Sequence, residues 1–339
     1  MKTLDGMVYS HGTFFRGHAA VYGDRAEISE GPCKGAPDAS GLILPALVDC
    51  HTHCADAGVK PRLGMTLEEL VAPPNGLKHV YLRTAPRDRI VSDMHDFSIC
   101  ARRNGISAFV DFREGGAEGC RMLREACPNA VVLGRPVSPE FDPCEVSEIL
   151  SCADGIALSS VSDLDPKYAE KVADATHKAG KAFAIHASER IREDIDTVLS
   201  LEPSFVVHMI EASCGDMSKC ADANVPAVVC PRSNRFFGKV PPIKRMIDSG
   251  ISVSLGTDNA MLCSPDLRPE AALFSDILAD QGGDPSDTWV CLAENGKKLL
   301  NQIRKIPAPV GEDVAFTVLP CSGNNLESAL DCFEPAFLV

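Results

Sequence analysis

The feature that most constrains this chain is a recurrence. Eight short apolar runs, rich in β-branched residues and each followed by polar or glycine-containing residues, alternate with helical patterns along the 339 residues. They occupy residues 42–49, 106–111, 130–133, 155–158, 182–185, 205–207, 227–230 and 251–255. Several are apolar without interruption, the pattern of parallel strands covered on both faces. One intervening helix carries its own boundary signals: Asp165 as N-cap, Pro166 at the first helical position and Gly180 just past the end. Alternating strands and helices imply parallel βα units, and eight of them close a (β/α)8 TIM-type barrel.

The two ends break this rhythm. Residues 7–10, 14–22 and 314–319 read as short strands separated by Gly-rich turns. They are expected to pair across the termini as a small β-sandwich domain of residues 1–44 and 306–339, beside a barrel of residues 45–305. The first βα connection is long, and residues 54–104, which include the sequence PPNG at 73–76, are expected to form a lid over the barrel mouth.

Composition narrows the partners. Lys plus Arg number 33 and Asp plus Glu 47, a net charge of 33 − 47 = −14 with no basic block to offset it, so nucleic acid and anionic membrane surfaces are poor partners. No apolar run approaches the roughly 18 residues of a membrane span, and the first ten residues lack the apolar core of a secretory signal. A cytoplasmic protein acting on a small molecule is the expectation, with homodimerisation left open. The 15 cysteines are odd in number and contain no C-x-x-C pair, which favours reduced thiols, most of them acting as small buried hydrophobes.

The candidate chemistry lies at strand ends. His51 and His53 form H-T-H at the end of the first strand, and residues two apart on a strand face the same side. His186 ends the fifth strand, His208 ends the sixth and Asp258 follows the eighth. Barrel enzymes place their chemistry at these carboxyl ends. Any one of the five could merely satisfy backbone groups, but five on one rim argue for an ion. Glu189 follows His186 by three residues, within reach of the same place. Further along the rim lie Arg113, Arg135, Arg232 and Asn234, and Lys78 and His79 lie in the lid segment. In so acidic a chain, these suggest a substrate carboxylate or phosphate held by guanidinium. The remaining histidines read as surface or packing residues.

Here a resemblance becomes specific. HTH after LILPALVD, then IHASE, VVHM, CPRSN, SLGTDN and GEDVAFTVL, in this order, resemble the amidohydrolase superfamily, and more narrowly its deaminase and chlorohydrolase branch, with cytosine, guanine and S-adenosylhomocysteine deaminases. The resemblance implies a metal-dependent (β/α)8 barrel with a β-sandwich from both termini. It implies His51, His53, His186 and Asp258 as ligands of one divalent cation, zinc with iron as the alternative, and Glu189 as the group that moves protons between water and substrate. His208 would polarise the attacked group or orient the water, and Asp258 would also receive the water's proton. Some members hold two metals through a carboxylated fourth-strand lysine; here that strand reads GIALSS, which favours one. Three neutral imidazoles and a carboxylate suit zinc at roughly 2.0–2.2 Å and leave a position for water, whose pKa falls toward about 7.

The function expected is therefore a metal-dependent hydrolase, an aminohydrolase releasing ammonia from an aminated purine, pyrimidine or pterin-like ring. Two alternatives stand beside it: a cyclic amide hydrolase of the dihydroorotase or hydantoinase type, and a catalytically silent metal-binding barrel. The segment after H-T-H matches no single characterised substrate loop, so the substrate itself is left open.

Overall fold

A computed structural model of the chain describes residues 1–304, apart from 24, 63 and 73, together with 315–321, 329, 330, 332 and 335–339. Residues 311–314 of the GEDVAFTVL motif and the first proline of PPNG thus lie outside the described residues. The strands are β1 (Lys2–Ser10), β2 (Thr13–Tyr22), β3 (Arg25–Glu30), β4 (Ala39–Pro45), β5 (Leu47–His53), β6 (Ile106–Arg113), β7 (Val131–Gly134), β8 (Gly155–Leu158), β9 (Ala182–Ala187), β10 (Phe205–His208), β11 (Ala227–Val229), β12 (Val253–Leu255), β13 (Asp258–Asn259), β14 (Phe316–Leu319) and β15 (Phe337–Leu338).

Parallel pairing runs in the order β12-β11-β10-β9-β8-β7-β6-β5-β13. The last two pieces belong to one stretch of chain. Val253–Leu255 pairs with β11, whereas Asp258 and Asn259 pair with Thr52 and His53 of β5. This eighth strand, broken at Gly256 and Thr257, therefore closes the sheet into the expected (β/α)8 barrel. The helix over Pro166–Lys178 begins at Asp165, whose side chain accepts from the Tyr168 amide, as its sequence signals predict.

Side chains pointing to the barrel axis alternate along each strand. Val48, Ala108, Val110, Phe112, Val131, Leu133, Ala157, Ala182, Ala184, Phe205, Val207 and Val228 form the axial core, closed below by Leu299, Leu300 and Ile303. The opposite parity, with residues such as Phe109, Val132, Ile156, Ile185 and Val206, packs under the helices. Of the expected lid, the helix Arg87–Arg103 packs on the barrel through Ile90, Met94, Phe97 and Ala101. It is the helix Leu77–Thr84 and the short one before it, Leu67–Val71, that reach over the mouth.

The terminal β domain is a six-stranded sheet in the order β15-β14-β4-β1-β2-β3. On one face Leu4, Val8, Ile43, Phe316 and Val318 form a core of their own. On the other, Leu42, Leu44 and Tyr9 join the barrel's core. Tyr9 and Phe14 meet at 4.9 Å between ring centroids, Phe14 lies the same distance from Trp289, and the Tyr9 hydroxyl donates to Glu294 at 2.9 Å.

All fifteen cysteines are free thiols; seven are buried, six partly exposed and two exposed, so fewer act as buried hydrophobes than the sequence suggested. Among the described residues no helix is long and apolar enough to cross a membrane.

The seam sets a stability test. A Cβ on Gly256 would sit 2.8 Å from the Cβ of His51 and 2.9 Å from its backbone N and O, where the eighth strand crosses to β5. Gly215, inside the helix Cys214–Asp222, meets only the Ser213 hydroxyl, at 3.7 Å. We expect Gly256→Ala to cost about 2–3 kcal/mol by overpacking, and Gly215→Ala to be neutral or to stabilise by up to about 1 kcal/mol. Thermal or urea unfolding of the two variants checks both.

Candidate active site

The barrel's alternation alone would turn His51 and His53 away from the axis, because Val48 and Cys50 already point inward. A bulge corrects this. Between Asp49 and Thr52 the register of β5 against β6 slips, so that one extra residue reverses the parity and brings both imidazoles to the axial side. Asp111 fixes the result, accepting from the Thr52 hydroxyl at 3.0 Å and the Cys54 amide at 2.6 Å. On β9, His186 simply continues the inward positions of Ala182 and Ala184. On β10 the inward positions are Phe205 and Val207, so His208 would face outward; its left-handed backbone, φ 78°, turns it in. Asp258, at φ 62°, is bent likewise. Such non-glycine strain persists where surrounding structure holds it, commonly at functional sites.

These five side chains meet. His51 lies 4.9 Å from His53, 5.0 Å from His186 and 5.8 Å from His208, ring centre to ring centre. His51, His53 and Asp258 bring one ligand atom each within 4.8 Å of one another, as do His51, His186 and His208. His53 Nδ1 lies 3.0 Å from the Phe112 carbonyl and 3.0 Å from Glu114 Oε1, and His186 Nδ1 lies 3.0 Å from the Leu158 carbonyl. Their protons belong on Nδ1, which leaves both Nε2 lone pairs free. Asp258 Oδ1 stands 3.4 Å from His51 Nε2 and 3.6 Å from His53 Nε2.

His51 tests whether a cation fits. It is fully buried, and neither ring nitrogen has a hydrogen-bond partner. Burial, the largest influence, pushes it down to about 3, and burial also drives His186 well below its ordinary value, so both rings are neutral. Burial raises Asp258, but the His51 ring 3.4 Å away and the other neighbouring imidazoles hold it well below the usual carboxylate range. Lone pairs and a carboxylate thus converge on one buried point with no proton donor between them, the donor set of a divalent metal site. His51, His53, His186 and Asp258 could hold the ion, with His208 beside them.

The surrounding groups orient this set. Ser233 donates to Asp258 Oδ2 at 2.5 Å and Asn259 to Oδ1 at 2.8 Å. Asn234 donates to His208 Nδ1 at 3.2 Å, which leaves the His208 proton on Nε2, 3.6 Å from Glu189 Oε1. From the lid, the buried Lys78 ammonium reaches Glu114 at 2.6 Å and Asn259 at 3.3 Å. Lys78, Glu114 and His53 therefore form one chain from lid helix to candidate ligand. A buried ion pair of this kind is costly to break from one side.

A cavity of about 450 Å³ opens above, lined by His53, Lys78, His79, Glu114, Arg135, His186, Glu189, His208 and Asp258 among others. Not every expected substrate contact lines it. The outward parity of Arg113 buries its guanidinium against Glu114 at 2.8 Å and the Met94 sulfur. Arg232 is bound to Glu270 at 2.7 Å and to the carbonyls of Ser264 and Asp266. Asn234 reaches the site only through His208, and His79 bonds the Val71 carbonyl at 3.0 Å while lining the cavity. Glu114 received too little weight from the sequence, although it occupies the next inward position after Phe112.

Comparison with known proteins agrees with this geometry. The model of the Amidohydrolase family matches residues 42–301. A protein of Methanothermobacter thermautotrophicus provisionally named an aminohydrolase is 34% identical over 258 residues, covering 69% of this chain and 67% of its own. A 5-methylthioadenosine/S-adenosylhomocysteine deaminase of Halobacterium salinarum is 25% identical over 262 residues, covering 66% and 59%. In fold, the chain is similar to a crystal structure of guanine deaminase from C. acetobutylicum, with a TM-score of 0.76 at 16% identity, over 98% of this chain and 95% of that one. With the family match running through every barrel strand and each of the five converging side chains, this chain belongs to the Amidohydrolase family and is a hydrolase acting on C–N bonds.

Proposed function

We propose that the protein is an aminohydrolase that uses one divalent ion, zinc, to release ammonia from an aminated heterocycle. The observation that carries this reading is the placement of Glu189 on the cavity wall, 3.6 Å from His208 Nε2 and beside the ligand set. Deamination requires a group that takes a proton from water and gives one to the departing amine. A carboxyl group in reach of both does this.

His51, His53, His186 and Asp258 would hold the ion, and when bound it supplies Lewis acidity that acidifies a water toward neutral pH. Asp258 keeps its charge in the buried site and can accept that water's proton, its other contacts from Ser233 and Asn259 fixing its direction. Glu189 carries protons to the leaving nitrogen. His208 offers an N–H at its Nε2, because Nδ1 is occupied by Asn234; such a donor stabilises negative charge developing on the ring. The Ser188 backbone, left-handed at φ 47°, turns the chain after β9 so that Glu189 returns over the mouth. The fourth strand, Gly155–Leu158, and Ser159 and Ser160 just after it include no lysine to carry a bridging carboxylate, which supports a single ion over the two-metal arrangement.

The test is ammonia release from a panel of aminated purines, pyrimidines and pterins, with zinc-loaded protein, chelated protein and Glu189→Gln. We expect release that stops on chelation, and a fall in kcat of about 10²–10⁴-fold in the variant. Ring opening without ammonia would contradict deamination, and undiminished turnover in Glu189→Gln would remove Glu189 from its role.

A further inference from the structure

Several basic groups in the cavity are already paired. Lys78 is paired with Glu114 at 2.6 Å, and Arg190 with Asp163 at 3.1 Å. Arg135 is different. Among the described residues its guanidinium has neither a hydrogen-bond acceptor nor a carboxylate within ion-pair distance, although it lines the cavity and is only partly exposed. The acid that shares its surroundings beside Tyr168, Glu145, is spent elsewhere, accepting from the backbone amides of Val137 at 2.6 Å and Ser138 at 3.2 Å.

The fold explains where Arg135 points. Val131 and Leu133 are inward positions of β7, and Arg135 is the next. On the adjacent strand β8, Ala157 points inward and Ser159 is the next. The Ser159 hydroxyl lines the same cavity, buried and without a partner. The Arg135 guanidinium and the buried Ser159 hydroxyl thus line one cavity from the ends of the third and fourth strands, while the candidate ligands come from the first, fifth and eighth. His79 does not compete for a ligand: burial, then the charges of Lys78 and Arg135, push it down to about 4, and its Nε2 proton is spent on the Val71 carbonyl.

We infer that the substrate is an aminated heterocycle bearing an oxyanion, a carboxylate or phosphate, on the side away from the reacting carbon. Arg135 binds that group through its forked N–H donors, and Ser159 adds a hydroxyl donor. This deepens the aminohydrolase reading and rests on it for the ring, but not for the anion. A guanidinium without a protein partner on a cavity wall is available to an anionic ligand. Charge-assisted, bidentate contacts to carboxylate or phosphate are the strong hydrogen bonds available to it.

The experiment compares matched pairs: adenosine 5′-monophosphate with adenosine, cytidine 5′-monophosphate with cytidine, and 2-amino-4-oxopteridine-6-carboxylate with its uncarboxylated parent. Ammonia release gives kcat/KM for wild type, Arg135→Gln, Arg135→Lys and Ser159→Ala. In parallel, calorimetry measures binding of the ring without its amino group, inosine 5′-monophosphate against inosine, which needs no turnover. We expect the anionic member of at least one pair to be favoured about 10- to 100-fold. Arg135→Gln should collapse that ratio mainly through KM, Arg135→Lys should recover part of it, and Ser159→Ala should lower it less. The source of the oxyanion is read from whether the phosphate or the carboxylate pair responds. No ammonia from any compound, together with Arg135-dependent binding of inosine 5′-monophosphate, would sink the aminohydrolase reading and uphold the oxyanion site at Arg135. Neutral members used as well as anionic ones, a ratio untouched by Arg135→Gln, or no anionic member bound in either assay would overturn it.

Discussion

The rest of the structure depends on one arrangement that is unfavourable by itself: three imidazole lone pairs and an ionised carboxylate aimed at the same buried point. His51 is the clearest member, with both ring nitrogens unpartnered at zero exposure. Buried polar groups left without partners are expensive, and a cluster of acceptors without donors more so. The barrel must therefore be stable enough elsewhere to hold them. Its axial core, the terminal sheet packed on its flank and the seam at Gly256 and Thr257 supply that stability. Asp49 ties the seam, accepting from the Thr257 amide at 3.0 Å and its hydroxyl at 2.6 Å, two residues before His51.

How the side chains are aimed is as informative as where they lie. A regular strand offers every second residue to the axis, and the site needs more than regular strands give. The β5 bulge and the left-handed residues Ser188, His208 and Asp258 each reverse or bend that rule at a strand's carboxyl end. These deviations gather on the rim where the cavity opens. Orientation then passes outward through Ser233, Asn234, Asn259 and the Lys78–Glu114 pair, so the lid helix and the ligand set are mechanically linked.

Much of this was legible in the sequence. The eight apolar runs placed the barrel strands, and H-T-H, His186, His208 and Asp258 at their ends were recognisable because a strand end is a position in space as well as in sequence. The rim arginines were harder to read. Parity separates them: Arg135 follows Val131 and Leu133 inward, whereas Arg113 follows Phe112 by one and turns outward onto Glu114 and Met94. Arg232 defeats parity, because the chain enters the helix Pro231–Phe236 there and Glu270, from a distant helix, captures it. That contact, and the ammonium of Lys78 reaching across to Glu114, depend on tertiary packing that no local pattern encodes. His208 also breaks the alternation, and its aim is set by a backbone conformation that its residue type does not announce.

The most direct test of the central claim is to locate the ion. Crystals of zinc-loaded protein, with anomalous diffraction recorded on either side of the zinc absorption edge, should show one ion per chain within about 2.0–2.2 Å of nitrogens from His51, His53 and His186 and an oxygen of Asp258. Zinc bound elsewhere, or absent from that point at saturating concentration, would contradict the account.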